Sequence, residues 1–449
     1  MNSHLLKPFN TMKRIVISII SIFFMATAPV AQPLLTVEEA VAAVLKNNFD
    51  ILLLRNDSAV FALNNSYANA AFLPRLNATS GIVFNNNNTR QKLADGSERG
   101  SNGLRSNNIN SALNLNWTIF DGLKMFATRE KLEEFVRLGS LNIQNQLTTS
   151  VAEAIITYYN IVRQKQQLRA IEEQMQVNEE RVTQAEKKIS VGLGAKPELL
   201  QAQLDLNAQK ASRLDQLNLI EQLKEQLNLV AGFAPGTSYD VADSIPLNTG
   251  LIAGEIFSTA EDLNPGIQVA KQNIRIAELT LRERRAERFP TVSFNAAYNF
   301  SRTSNQAVVN NFTPLFNRNF GFNYGFTATI PIFNGFNVRR QIQEAKLDVS
   351  YQQVVYDYER FRVNIGISRA FKDYEARKST LALEEENIKL AKENVYIALE
   401  RFRLGLSTSL ELRETQRSLE DAYNRLIAAR YNLKVAETEL LRLKGDLVK

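Results

Sequence analysis

The stretch from Phe120 to Gly232 recurs, without insertion or deletion, 213 residues later as Phe333 to Gly445. Phe120-Asp121-Gly122 matches Phe333-Asn334-Gly335, Val191-Gly192-Leu193 matches Leu404-Gly405-Leu406, and Gly232 matches Gly445. Upstream, Phe72-Leu73-Pro74 matches Arg288-Phe289-Pro290 at an offset of 216. Register held this strictly over so long a period means one structural unit built twice, and tandem units commonly share one surface. Each copy predicts the same order: helix, two strands, a very long helix, a tight turn, a returning helix. The expected organisation is a first repeat at 32–232, a connector at 233–254 and a second repeat at 255–445.

Composition narrows the function classes. Residues 1–31 read as a secretory signal peptide: Lys13 and Arg14 precede an apolar run from Ile15 to Met25, then small residues lead to Ala31. The chain has no cysteine, and its one histidine, His4, lies in that leader, so the mature protein lacks thiol chemistry and the commonest general base and metal ligand. Nothing in the pattern asks for a cofactor or a metal, and the expectation is a protein that is not an enzyme. The formal charge of +6 is spread along helical faces where acids alternate with bases. Nucleic-acid binding would need a clustered basic stripe, and none is present. No segment after the leader has 18 consecutive apolar residues, so a membrane could be crossed only by strands closed into a barrel.

Four segments have the alternation and length of such strands. In the second, Ile109, Leu113, Leu115, Trp117 and Ile119 oppose Asn110, Asn114, Asn116 and Thr118. In the third, Val292, Phe294, Ala296, Tyr298 and Phe300 oppose Ser293, Asn295, Asn299 and Ser301. In the fourth, Phe320, Phe322, Tyr324, Phe326 and Ile330 oppose Asn323, Thr327 and Thr329. The first, near Leu76 to Asn87, is the least regular. Alternation alone also fits an amphipathic sheet on a soluble core, but a polar face of Asn, Ser and Thr suits a water-filled lumen. The stretches Asn88 to Asn108 and Thr303 to Asn319 read as long external loops. Four strands cannot close a barrel, so copies must combine: two would supply eight strands and three would supply twelve.

After each second strand a proline-free helical pattern runs from Leu123 to Ser190 and from Phe336 to Arg403. Each is roughly 100 Å long at 1.5 Å per residue. Ile161, Leu168, Met175, Val182 and Ile189 repeat every seven residues, as do Tyr374, Leu381, Ile388, Val395 and Phe402. The returning helices repeat in the same way through Leu412, Leu419, Leu426, Leu433 and Leu440, with Ala422, Ala429 and Ala436 alongside. That period predicts left-handed coiled-coil hairpins. Shorter helices are expected over Thr36 to Phe72 and Glu255 to Phe289.

Together the duplicated order, the Phe-Asp-Gly and Phe-Asn-Gly lead-ins and the Val-Gly-Leu and Leu-Gly-Leu turns resemble the TolC-like outer membrane efflux protein family. The resemblance implies a mixed fold, mostly helical with a membrane β part. A long α-helical coiled-coil barrel would continue a shared 12-stranded barrel to which each chain contributes four transmembrane β-strands. It implies a homotrimer in the outer membrane of a Gram-negative bacterium, in contact with outer-membrane lipid and extending into the periplasm. The function implied is a passive export channel in tripartite efflux or type I secretion. A periplasmic adaptor would open it at the tip, and an inner-membrane transporter would supply the energy. The alternative class is a periplasmic coiled-coil adaptor, although adaptors carry one hairpin where this chain has two.

The resemblance also places candidate sites. Val191, Gly192, Leu193 and Gly194, with Leu404, Gly405, Leu406 and Ser407, match the adaptor-binding tips; taken alone, each reads more readily as an ordinary glycine-capped helix turn. Glu198, Glu411 and Glu414 match acidic residues that ring the tunnel entrance, while Thr408-Ser409-Leu410-Glu411 also reads as a helix capping box. Phe402 stands where the family's gating tyrosine is familiar and Ser407 where its gating arginine is, so that hydroxyl and that charge are both missing.

Overall fold

The structure is a computed structural model that describes residues 33–192, 194–309, 312–404 and 406–447. The leader expected at 1–31 and the tip residues Leu193 and Gly405 lie outside the described residues.

In chain order the elements are β1 (Leu34–Leu35), α1 (Val37–Asn47), α2 (Phe49–Ser66), a 3-10 turn at Ala68–Phe72, β2 (Arg75–Lys92), β3 (Glu98–Phe120), α3 (Lys124–Ser190) and α4 (Lys196–Ala231). Then come β4 (Asp240–Val241), α5 (Ala253–Leu263), α6 (Pro265–Ala286), β5 (Thr291–Asn305), β6 (Phe316–Thr329), α7 (Asn337–Arg403) and α8 (Ser409–Lys444). They form two compact units, each drawn from both repeats. One joins Asp50–Thr148, Ile252–Arg369 and the segment from Leu443; the other joins the chain up to Phe49 with Thr149–Leu251 and Ala370–Arg442.

In the first unit the four long strands form one antiparallel sheet in the order β2-β3-β5-β6. The strands outrun the expected ones. β2 and β3 stay paired to Lys92↔Glu98, so the first external loop shrinks to a turn over residues 93–97. There Gly96 adopts φ +84°, and Asp95 accepts from the Ser97 amide at 2.9 Å. Most of the polar stretch from Asn88 to Asn108 that reads as a loop is a ladder because an antiparallel hairpin needs backbone pairs, not apolar side chains. A bulge between Thr118 and Phe120 also hands the apolar face from the expected Ile119 to Phe120, which pairs with Val292.

The strand-to-helix lead-ins explain their motif. Gly122 and Leu123 both take φ near +70° (73° and 72°), as do Gly335 and Phe336 (63° and 62°). Asp121 then accepts from the Met125 amide at 3.1 Å, capping α3. Gly122 also has no room for a side chain: a Cβ there would sit 2.3 Å from the Ala286 carbonyl oxygen.

The short helices correct the sequence reading, because each is broken in two, at Asn48 and at the equivalent Asn264. Each asparagine turns its amide onto the end of a returning helix: Asn48 donates to the Val230 carbonyl at 2.8 Å, Asn264 to the Leu443 carbonyl at 2.9 Å. Just beyond those carbonyls lie the paired glycines. A Cβ on Gly232 would meet the Asn47 carbonyl oxygen at 2.6 Å, and one on Gly445 the Leu263 carbonyl oxygen at 2.4 Å, with both glycines at positive φ. Gly232→Ala is therefore expected to lower stability by at least about 1–3 kcal/mol from backbone strain alone, and by more once the clash is added. Gly236→Ala, at φ +76° with nothing within 4 Å, carries the strain without the clash. Thermal unfolding should rank the two variants in that order, and equal losses would contradict the packing role.

In the second unit the seven-residue seams are the core. Ile161, Tyr374, Leu381, Ile388, Leu412, Leu426, Leu433 and Leu440 are buried, as is the alanine row at Ala422, Ala429 and Ala436. The connector folds onto α3. β4 pairs in parallel with β1, and the Tyr158 hydroxyl donates to the Leu35 carbonyl at 2.8 Å while accepting from the Ala242 amide. Lys165 reaches Asp240 at 2.7 Å and Asp243 at 2.8 Å. Burial opposes the lysine's charge, but its bonds to the two carboxylates win and raise its pKa; the same contact lowers that of Asp243.

Candidate functional site

Two surfaces stand out, one in each unit. In the helical unit the α3–α4 and α7–α8 turns are built for sharp reversal. Gly192 takes φ +78°, and a Cβ on Gly194 would lie 2.6 Å from the Ile189 backbone nitrogen, so only glycine fits there. At the other turn the Leu406 amide donates back to the Arg401 carbonyl at 2.8 Å, closing α7. Both turns leave apolar side chains uncovered: Val191 is 68 % exposed, Leu404 72 % and Leu406 68 %.

The acids expected at a mouth have distinct settings. Glu411 is engaged on two sides, accepting from Arg401 Nη1 at 2.8 Å and from Ser407 Oγ at 2.8 Å. Thr408 accepts from the Glu411 amide at 3.2 Å, so half of the capping box forms while the carboxylate turns to Arg401 and Ser407 instead. Glu414 lines a polar cleft of about 410 Å³ with Arg413, Arg417, Arg181 and Asp205, the last two paired at 3.3 Å. Glu198 lies partly covered in the first turn of α4. Phe402 is half-buried, with the Lys188 ammonium 4.9 Å from its ring centre. Ser407, uncharged as expected, still holds the tip through its hydroxyl.

Arg401 and Lys188 are functional candidates that the sequence reading missed. The available signal was a basic last turn on both long helices, with Lys187 and Lys188 on one and Arg401 and Arg403 on the other.

The sheet unit offers the second surface. Its register aligns side chains in rows across the strands. Trp117, Phe294 and Phe326 form one row, Leu113, Tyr298 and Phe322 another, and Ser111, Phe300 and Phe320 a third, all on the same face. The Trp117 indole donates to the Phe72 carbonyl at 2.7 Å, fixing the start of the sheet to the preceding turn. The opposite face is polar and internally bonded: Asn116 donates to Asn295 at 2.6 Å, Asn295 to Thr327 at 3.1 Å and Asn299 to Asn323 at 3.1 Å. No described helix is long and apolar enough to cross a membrane, and no metal-binding group of His, Cys, Asp or Glu occurs among the described residues.

This architecture has known counterparts. The outer membrane efflux protein BepC of Brucella suis is 21 % identical over 418 residues, covering 92 % of this chain and 86 % of that protein. The outer membrane protein TolC of Escherichia coli is 20 % identical over 385 residues, covering 85 % and 76 %. Among solved structures, the CmeC outer membrane channel of Campylobacter jejuni superposes with a TM-score of 0.74 at 17 % identity, covering 91 % of this chain and 85 % of that one. The family model for outer membrane efflux proteins matches residues 40–232 and then again 256–446, once per repeat. With both repeats matched across most of its length, the chain belongs to the outer membrane efflux protein family.

Proposed function

We propose that three copies of this chain assemble into a passive exit duct, its wall a closed 12-stranded barrel, its tips engaged by a periplasmic adaptor coupled to an inner-membrane transporter. Family membership makes the protein an efflux channel of the Gram-negative outer membrane, which sets aside the adaptor alternative.

One observation carries the assembly: the sheet unit is open at the same two ends in both of its layers. In the sheet, β2 and β6 are the edges, each with unpaired backbone groups that lipid would leave unsatisfied. In the helical layer, α2 packs on α3 through stacked Phe61 and Phe135, and α3 packs on α6 through Lys131, Glu283, Glu130 and Arg275. α7 then contacts the α5–α6 segment through Arg360 and Glu261, at 3.0 Å. Beyond this order, α7 leaves a bare apolar stripe of Leu347, Tyr351, Val354, Tyr358 and Phe361, and α2 leaves Leu53, Val60 and Leu63. The duplication supplies the missing contact. Gly122 of the first repeat packs under Ala286, whereas its equivalent Gly335 has the same backbone twist and nothing within 4 Å. Joining α7 to α2 of the next copy, and β6 to its β2, repeats the internal contact and closes a ring.

The uncovered Val191, Leu404 and Leu406 are the apolar knobs offered to the adaptor, and Glu198, Glu411 and Glu414 give the mouth its charge. Tyr351→Glu with Phe361→Glu tests the ring. Each carboxylate would be buried without a partner at about 3 kcal/mol or more, so the double variant should run as a monomer and give no steps in planar bilayers. The parent chain should give a heat-modifiable oligomer that conducts. A double variant that assembles and conducts normally would refute the seam, as would a parent chain that stays a water-soluble monomer.

A further inference from the structure

The aromatic face of the sheet ends in two arginines set directly against each other. Arg302 of β5 and Arg318 of β6 are cross-strand partners, in the row that also holds Ile82 and Ile109. Like charges directly opposite on a sheet repel, and here nothing intervenes. The two guanidinium groups part along the sheet: Arg302 lies 5.4 Å from the ring centre of Phe316, in the next row out, while Arg318 lies 5.6 Å from that of Phe300, in the next row in. Neither arginine has a carboxylate partner among the described residues, and both are exposed.

The sheet holds almost no countercharge. Its strands carry seven basic side chains (Arg75, Arg90, Lys92, Arg99, Arg105, Arg302 and Arg318) against one acid, Glu98, which is already bonded to Arg90 at 2.7 Å. β2 has no acidic residue from Arg75 to Lys92, so a second copy paired along β6 would bring none either. The anion that relieves this pair must come from outside the protein.

Its source follows from depth, on the reading of the sheet as a lipid-facing wall. Arg302 lies eight residues along β5 from Phe294, in the Trp117 row. That is about 27 Å along a strand, or roughly 20 Å of height at a tilt near 40°, close to the full apolar band of such a barrel. The helices join the sheet at the Trp117 end and the β2–β3 turn lies at the other, so the arginine row marks the outer rim. Arg105, four residues further out on β3 and on the same face, extends the positive strip.

We infer that Arg302 and Arg318 form a binding site for the phosphate groups of the outer-leaflet glycolipid, with Phe300, Phe316 and Phe320 lying against its sugar and the start of its acyl chains. A guanidinium binds phosphate in a bidentate fork and stacks on aromatic rings in the same pose. Here each guanidinium offers its own fork to a phosphate, and the bound anion screens the like charge of its neighbour.

The test uses the purified assembled channel in detergent, with lipid retention read by native mass spectrometry. Wild type should retain bisphosphorylated lipid A, and Arg302→Gln with Arg318→Gln should weaken retention by at least roughly tenfold, the loss of about one charge-assisted contact. Arg302→Lys with Arg318→Lys should restore part of it, and Arg90→Gln, whose guanidinium already serves Glu98, should change nothing. Dephosphorylated lipid A should bind the wild type no better than phosphorylated lipid A binds the double Gln variant, and inorganic phosphate should not displace the lipid. Equal retention by wild type and the double Gln variant would overturn the site, as would equal binding of the dephosphorylated lipid or displacement by inorganic phosphate. Conductance is measured on every variant: a double Gln channel that still conducts places the lost lipid at the arginines, whereas a wild type that never conducts defeats the membrane-wall reading instead.

Discussion

Phe322→Arg should remove the channel from the outer membrane, while Asn323→Arg, one residue along the same strand, should leave it there. Phe322 lies midway up the aromatic face, two rows from Phe326 and two from Arg318. An arginine on the lipid face near the bilayer midplane costs about 2–4 kcal/mol, and three copies in one barrel would multiply that to about 6–12 kcal/mol. Asn323 lies on the opposite face, where it accepts from Asn299 at 3.1 Å. An arginine there would project into water and cost far less. Heat-modifiable mobility and outer-membrane fractionation read the difference directly. Two variants that assemble equally well would mean that the aromatic face does not meet lipid.

The alternation behind this prediction is legible in the amino-acid sequence, because side-chain direction in a strand has a strict period of two. Alternation does not show where pairing stops. Thr89 to Lys92 and Glu98 to Asn108 carry almost no apolar signal, yet they belong to the ladder, and so a strand reads as a loop. The Arg302–Arg318 pair is hidden for a related reason: two residues sixteen apart become neighbours only once the hairpin register is known. The helix break at Asn48 is tied to a tertiary contact, its amide serving the end of a distant helix, whereas the break at Asn264 is also legible locally, because Pro265 opens the next helix and Asn264 caps it by accepting from the Ile267 amide at 3.2 Å. At the tip, the acids at Glu198, Glu411 and Glu414 are readable as candidates, but the partner of Glu411 is not. Arg401 approaches that carboxylate from the last turn of the preceding helix, ten residues away and across a reversal whose geometry no periodicity specifies.

That partner leads to the second large effect: Arg401→Ala should open the mouth and at the same time make it more attractive to cations. At the tip, Glu411 is paired with Arg401 and accepts from the Ser407 hydroxyl. Both partners of the ion pair are about half exposed, at 50 % and 42 %, which limits the pair to about 0.2–1 kcal/mol after solvent screening. The hydroxyl bond adds about 0.5–1.5 kcal/mol. Arg401→Ala removes the ion pair and leaves the hydroxyl bond, so three chains together would lose about 0.6–3 kcal/mol, a shift of at least roughly threefold in the closed-to-open ratio. Single-channel conductance in planar bilayers should rise in Arg401→Ala, and block by divalent cations should strengthen, because three carboxylates lose their cationic partner. Glu411→Ala with Glu414→Ala should raise conductance too, but weaken the block, since the charge itself is gone. The two variants thus separate the latch from the charge it hides. Opposite changes in block with a shared rise in conductance are what an acid serving first as a clasp and then as part of the mouth must produce; unchanged conductance in Arg401→Ala would show that the clasp does not hold the tip.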